Sequence, residues 1–152
     1  MYKRQLHICD VVIAESLVQH DMDTSPLGDP VGLISGINIV NIPCDGRVTA
    51  ALLKAAEALD GVHTAAGVIA SGDQFIASAE AKKRIVDRFG ARVCEMEGAA
   101  IAQVCYINSV PFAIVRAVSD CADGSSHMAY EEFLPNAAAT AARLIEGFVR
   151  VY

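Results

Sequence analysis

At 152 residues, with 53% hydrophobic and 20% charged side chains, the chain has the length and composition of a globular domain with a substantial core, which excludes disorder. A formal charge of −6, with no basic run longer than Lys82-Lys83-Arg84, argues against nucleic acid as the main partner and favours a small neutral or cationic ligand. Cys9, Cys44, Cys94, Cys105 and Cys121 are odd in number, widely spaced and without a C-x-x-C pair, so they read as reduced core cysteines of a cytoplasmic protein. No apolar stretch reaches the roughly 18 residues of a membrane span, and the start lacks the pattern of a signal peptide.

In chain order, the apolar, β-branched run 6–15 predicts a strand. Residues 16–38, with Pro26, Gly28, Pro30, Gly32 and Gly36, predict a long loop of the kind that usually carries function. Asp45 suits the N-cap of a helix over 48–59, which Asp60-Gly61 ends. A strand over 62–70 closes on Ser71-Gly72-Asp73-Gln74-Phe75-Ile76. Ser78 then caps a helix over 79–89 whose Ala81, Ile85, Val86 and Phe89 share one face, and Gly90 ends it. A short strand 92–96 feeds a helix 98–107, a long strand 110–118 follows, and a final helix covers 130–149. The alternation is that of an α/β fold. No repeat or linker divides the chain, so residues 1–152 are expected to form a single domain.

Chemistry concentrates at two places. In Val93-Cys94-Glu95-Met96-Glu97-Gly98-Ala99-Ala100 two carboxylates flank a methionine where a strand gives way to a helix, and the run from Val110 ends in Arg116, Ser119 and Asp120. Open parallel sheets bind ligands beyond the carboxyl ends of their strands, so two acid-bearing strand ends predict one pocket. Each residue also has an ordinary reading. Glu97 can offset the positive end of a helix dipole, worth about 0.3–1 kcal/mol, and Asp120 can be an N-cap. Met96 and Phe75 can be core, and Arg116 can pair with Glu95 or Asp120. His20, Asp21 and Asp23 are metal-ligating residue types, but their run lacks a third ligand at a defined spacing.

Three segments, Ser71 to Ile76, Cys94 to Ala100 and Val115-Arg116-Ala117-Val118-Ser119-Asp120, together resemble the bacterial 5'-methylthioadenosine/S-adenosylhomocysteine nucleosidases of the purine nucleoside phosphorylase superfamily. The resemblance takes in Gln19-His20-Asp21-Met22-Asp23-Thr24 and runs from Leu6 to Val149. It implies a three-layer αβα fold with a central mixed sheet, and hydrolysis of the bond between adenine and a 5'-thio-substituted ribose, without cofactor or metal. By the same resemblance Asp120 is the general acid at adenine N7, which demands a carboxyl kept protonated near neutral pH by burial. Glu97 holds the ribose hydroxyls and stabilises the cationic sugar, Met96 packs against the sugar, and Arg116 lies near the attacking water. Phe75 stacks on adenine, the backbone of Ile76 reads its edge, Ser119 stands beside the acid and Tyr130 over the pocket. Cys94 and Glu95 fall at the substrate with them, a structural role for Glu95 remaining open. The resemblance places the His20 loop at the interface of a homodimer.

The family's initial strand, with a Glu that helps activate water, and its Gly-rich ribose segment have no counterpart in these 152 residues, and Met1 to Gln5 do not resemble the sequence expected before Leu6. The expectation is therefore an N-terminally truncated nucleosidase with little or no activity alone, since general-base assistance is worth about 10²- to 10⁴-fold. Two alternatives stand beside it. One is a nucleoside phosphorylase, in which phosphate attacks the sugar. The other is a non-catalytic module that binds adenine nucleosides.

Overall fold

The computed structural model describes residues 6–119 and 130–152, the side chains of 130–132 excepted. Its centre is a nine-residue strand, β1 (Val11–Gln19), in which Val12, Ile13, Ala14, Leu17 and Val18 are fully buried. Along one edge β1 pairs in parallel with β3 (Thr64–Ser71), which pairs in parallel with β4 (Val93–Glu95). Its other edge is shared by two antiparallel partners. The short β2 (Ile42–Pro43) takes Ser16 and Leu17, and β5 (Val115–Ala117) takes Val11 to Ile13. A five-stranded mixed sheet results.

A bulge organises this sheet. The register of β1 against β3 shifts between Ala14 and Ser16, leaving Glu15 as an extra, exposed residue. One added residue exchanges the two faces of everything that follows. Before the bulge, Val11 and Ile13 pack with Leu52, Ala55 and Leu144, while Val12 and Ala14 face the opposite cluster with Ala102. After it, odd-numbered Leu17 joins that opposite cluster and even-numbered Val18 packs with Ala70 and Ile85. The carbonyls at the bulge are satisfied from outside the ladder. Ala14 O accepts from Thr49 Oγ1 at 3.3 Å and Glu15 O from Cys44 N at 3.0 Å.

Helices α1 (Gly46–Ala56) and α4 (Tyr130–Val151) lie together over one face, where Gly147 lets α4 approach Ala55: a Cβ there would stand 3.3 Å from that residue's own. Helix α2 (Ala79–Phe89) closes the cluster around Val18, and α3 (Gly98–Ile107) covers the opposite face. The α/β alternation and three-layer arrangement expected from the sequence are what forms.

Boundaries differ where backbone chemistry overrides apolar content. The expected strand 6–15 is displaced toward the C-terminus. Asp10 accepts the His7 N–H at 2.8 Å and Cys9 adopts φ 71°, so residues 7–10 turn before β1 begins. β1 then runs on to Gln19, into the segment expected to be loop, and β2 was not anticipated at all. The expected strand 110–118 narrows to 115–117. Ser109 has φ 55°, Pro111 offers no N–H, and Phe112 O is spent on Asp45 N at 2.8 Å. By contrast, α2 and α3 span the residues expected.

Asp45 caps α1 as expected, its Oδ1 accepting from Val48 N at 3.0 Å and Arg47 N at 2.9 Å. The Val48 N–H foremost holds its carboxyl below the ordinary 3.8, against an upward push from desolvation, with lesser help from the Arg47 N–H and guanidinium. A depressed carboxyl stabilises the fold above its unfolded pKa and loses that contribution as pH falls through the folded one. Urea denaturation of Asp45→Ala should therefore show lower stability than the parent at pH 7, with the gap closing below about pH 4.

Candidate active site at the carboxyl ends of β3 and β4

Ser71 and Glu95 are partners in the parallel β3–β4 ladder, so the segments that follow them leave the sheet side by side at one edge. The first carries Phe75 and Ile76, the second Met96 and Glu97.

The two carboxylates of the second segment have separate surroundings. Glu95 is buried, 8% exposed, and accepts the backbone N–H groups of Glu97 (3.0 Å) and Gly98 (2.8 Å) as well as the Ser71 hydroxyl. Ser71 Oγ in turn accepts the Ala99 N–H at 2.7 Å. These bonds satisfy the otherwise unpaired donors at the start of α3, and a carboxylate there is favoured by the helix dipole. Gly98 permits the arrangement, since a Cβ at that position would fall 2.7 Å from Leu17 Cδ2 and 2.9 Å from Glu95 Oε1.

Glu97 occupies the N-cap position of α3, yet its side chain caps nothing. With capping done by Glu95 and Ser71, the Glu97 carboxylate stays exposed and stands 3.4 Å from the Arg116 guanidinium, which also lies 3.9 Å from Glu95. The ion pair expected for Arg116 is thus made, but with both glutamates. Glu97 is left at the mouth of the edge with oxygens available to a ligand.

The ordinary reading of Phe75 and Met96 as core fails, because Phe75 is 76% and Met96 44% exposed. The Phe75 ring, exposed beside two strand ends, is open to stacking by a ligand. Ile76 is partly buried against the cluster of Val18, Ala70 and Ile85, which anchors the segment that presents Phe75. Cys94 packs against that same cluster, where desolvation pushes its thiol up to about 11, so its side chain acts as a packing group. Ser119 is exposed at the end of the run that contains β5. Asp120 lies outside the described residues, as does the side chain of Tyr130, the first residue of α4.

The His20 loop does separate jobs. Asp21 accepts Asp73 N at 2.7 Å, and Asp23 accepts Ser25 N at 2.9 Å. Among the described residues no three His, Cys, Asp or Glu side chains gather as metal ligands. Sequence reasoning gave Ser71 no role of its own. A small hydroxyl at a strand end was the only signal in the sequence, and its place level with Glu95 comes from the ladder.

The division between the two glutamates is testable by unfolding. Glu95→Ala strips several buried donors of their acceptor and should cost on the order of 3 kcal/mol, whereas Glu97→Ala removes an exposed ion pair and should cost less than about 1 kcal/mol. Equal losses would contradict the assignment.

Residues 2–150 match the sequence profile of the Phosphorylase superfamily. The chain is 40% identical over 141 residues to a 5'-methylthioadenosine/S-adenosylhomocysteine nucleosidase of Haemophilus ducreyi, covering 92% of itself and 60% of that protein. It is 39% identical to an aminodeoxyfutalosine nucleosidase of Helicobacter pylori over 96% of its length and 63% of the relative's. The crystal structure of the Neisseria meningitidis 5'-methylthioadenosine/S-adenosylhomocysteine nucleosidase in complex with methylthio-immucillin-A superposes with a TM-score of 0.89 at 35% identity, over 98% of this chain and 64% of that one. The chain thus spans 60–64% of the length of these relatives, and the fold matches over nearly all of it. On the breadth of that match the chain belongs to the phosphorylase superfamily.

Proposed function

We propose that the site hydrolyses the N-glycosidic bond of adenine nucleosides bearing a 5'-thio substituent, 5'-methylthioadenosine and S-adenosylhomocysteine, to adenine and the thio-substituted ribose. The observation that carries this reading is the exposed Glu97 carboxylate, freed from capping by Glu95 and set beside Arg116 at the strand end next to an exposed Phe75.

Phe75 stacks on the purine and the backbone of Ile76 reads its edge. Glu97 accepts the ribose hydroxyls, while Met96 lies against the sugar. As the C1'–N9 bond lengthens, its electrons move into the base and the ribose becomes cationic. Asp120, next to Ser119 in sequence, supplies a proton at N7 so that adenine leaves neutral. The Glu97 carboxylate offsets the positive charge on the sugar. Water, oriented by Arg116, adds its oxygen to C1' and releases a proton to solvent, from which Asp120 regains the proton it gave to N7. Glu95 and Cys94 contribute by position, one anchoring α3 and the other packing beneath the strand.

The same reading takes residues 1–152 as a single domain of a cytoplasmic enzyme that works as a homodimer. The cytoplasmic part of the reading is supported by four free cysteines among the described residues. A second reading, with aminodeoxyfutalosine as substrate, is favoured by relatives of that name at 36–39% identity.

Adenine release from methylthioadenosine, S-adenosylhomocysteine and aminodeoxyfutalosine should be followed with and without phosphate. The proposal expects release from the first two that is independent of phosphate. A phosphate requirement would point to phosphorolysis, and release from aminodeoxyfutalosine alone would favour the second reading.

A further inference from the structure

The polar run at the end of β1 takes no part in the chemistry proposed, yet it is built tightly against the turn that carries Phe75. His20 N–H donates to Ser71 O at 2.9 Å, and Asp21 Oδ2 accepts Asp73 N–H at 2.7 Å. Between these bonds Gly72 lies flat against both side chains: a Cβ there would fall 2.5 Å from His20 Nε2 and 2.8 Å from Asp21 Cγ. On its other side Gly72 N–H donates to Glu95 O at 3.2 Å. The turn 71–73 is therefore gripped from β1 and from β4 at once.

The grip has a cost that ordinary packing would avoid. His20 is 8% exposed and its Nε2 has no hydrogen-bond partner, and neither has the buried Asp21 Oδ1. Buried polar atoms left unpaired destabilise a fold, so an apolar side chain at position 20 would pack at lower cost. What the carboxylate provides instead is a fixed backbone, with the imidazole packed against Gly72 and the His20 backbone N–H holding Ser71 O. The carboxylate bond to Asp73 N–H is charge-assisted and directional, and it acts two residues before Phe75.

We propose that His20 and Asp21 are positioning residues for the adenine side of the site, clamping the turn 71–73 so that Phe75 and the Ile76 backbone are preset for the base. This rests on the adenine-nucleoside reading above. Neither residue touches the base. They act through Gly72 and Asp73, and their loss raises the freedom of residues 72–76 that binding must then remove.

The test uses the whole chain with Asp21→Ala, Asp21→Asn and Gly72→Ala, the last forcing the clamp apart from the opposite side. Amide hydrogen exchange reads the clamp, and calorimetric titration with adenine and with methylthioadenosine reads its consequence. Asp21→Ala and Gly72→Ala should speed exchange at residues 72–76 and leave α1 unaltered. Both should weaken the two ligands by the same factor, on the order of ten-fold, with Asp21→Asn restoring most of the affinity because it keeps an acceptor. A purely structural role would lower the unfolding midpoint while leaving affinity well below that midpoint unchanged, which overturns the proposal. Unchanged exchange at 72–76 in both disruptive variants overturns it independently of any ligand. Faster exchange together with a parent chain that binds neither ligand would uphold the clamp and refute the adenine reading.

Discussion

The arrangement at the site depends on one buried carboxylate. Glu95 ends β4 and immediately accepts the first N–H groups of α3, while Ser71, its partner in the β3–β4 ladder, bridges to the next. A helix start normally draws capping from the residue at its N-cap position, here Glu97. With that work done two residues earlier, Glu97 is free to face outward. The acid that does structural work and the acid left facing outward are thus two residues apart in sequence and opposite in exposure. Their alternation follows from a short strand that runs directly into a helix with Gly98 at its first position.

The second constraint is the bulge in β1. A regular strand of that length would keep odd and even residues on fixed faces throughout, leaving Leu17 and Val18 against the wrong layers. The extra Glu15 lets Val11 and Ile13 serve α1 and α4 and Val12 and Ala14 serve α3 before the bulge, while after it Leu17 stays on the α3 side and Val18 turns to the α2 cluster. It also lets β5 and β2 share one edge of the strand. The polar residues at the end of β1, His20 and Asp21, arrive beside Ser71 and Gly72 because the parallel β1–β3 pairing is carried through to Gln19 and Ser71.

Where local chemistry is decisive, the sequence is legible. The limits of α2 follow from Ser78, whose hydroxyl accepts Ala81 N–H, and from Gly90, which closes the helix at φ 65°. Those of α3 follow from the strand-to-helix change after Glu95. What depends on distant partners is not legible. Glu15 looks like the end of a strand and is a bulge, and Ile42-Pro43 is too short to signal a strand without knowing that Ser16 and Leu17 wait beside it. The run from Val110 reads as one long strand, but Pro111 and the turn at Ser109 leave only three residues in the ladder. At the site, Glu97 and Arg116 could be picked out by residue type and place, whereas Met96 and Phe75 stood out only through the family resemblance. The separation of Glu95 from Glu97 could not, because it requires the position of Ser71.

The central claim is that Glu97, rather than Glu95, meets the sugar. It is tested most directly by comparing calorimetric affinities of adenine and methylthioadenosine for the parent chain and for Glu97→Gln. The difference between the two ligands isolates the thio-substituted ribose. The account expects a clear preference for the nucleoside in the parent chain that largely disappears in Glu97→Gln, with adenine binding unchanged. A preference that survives the substitution intact would contradict it.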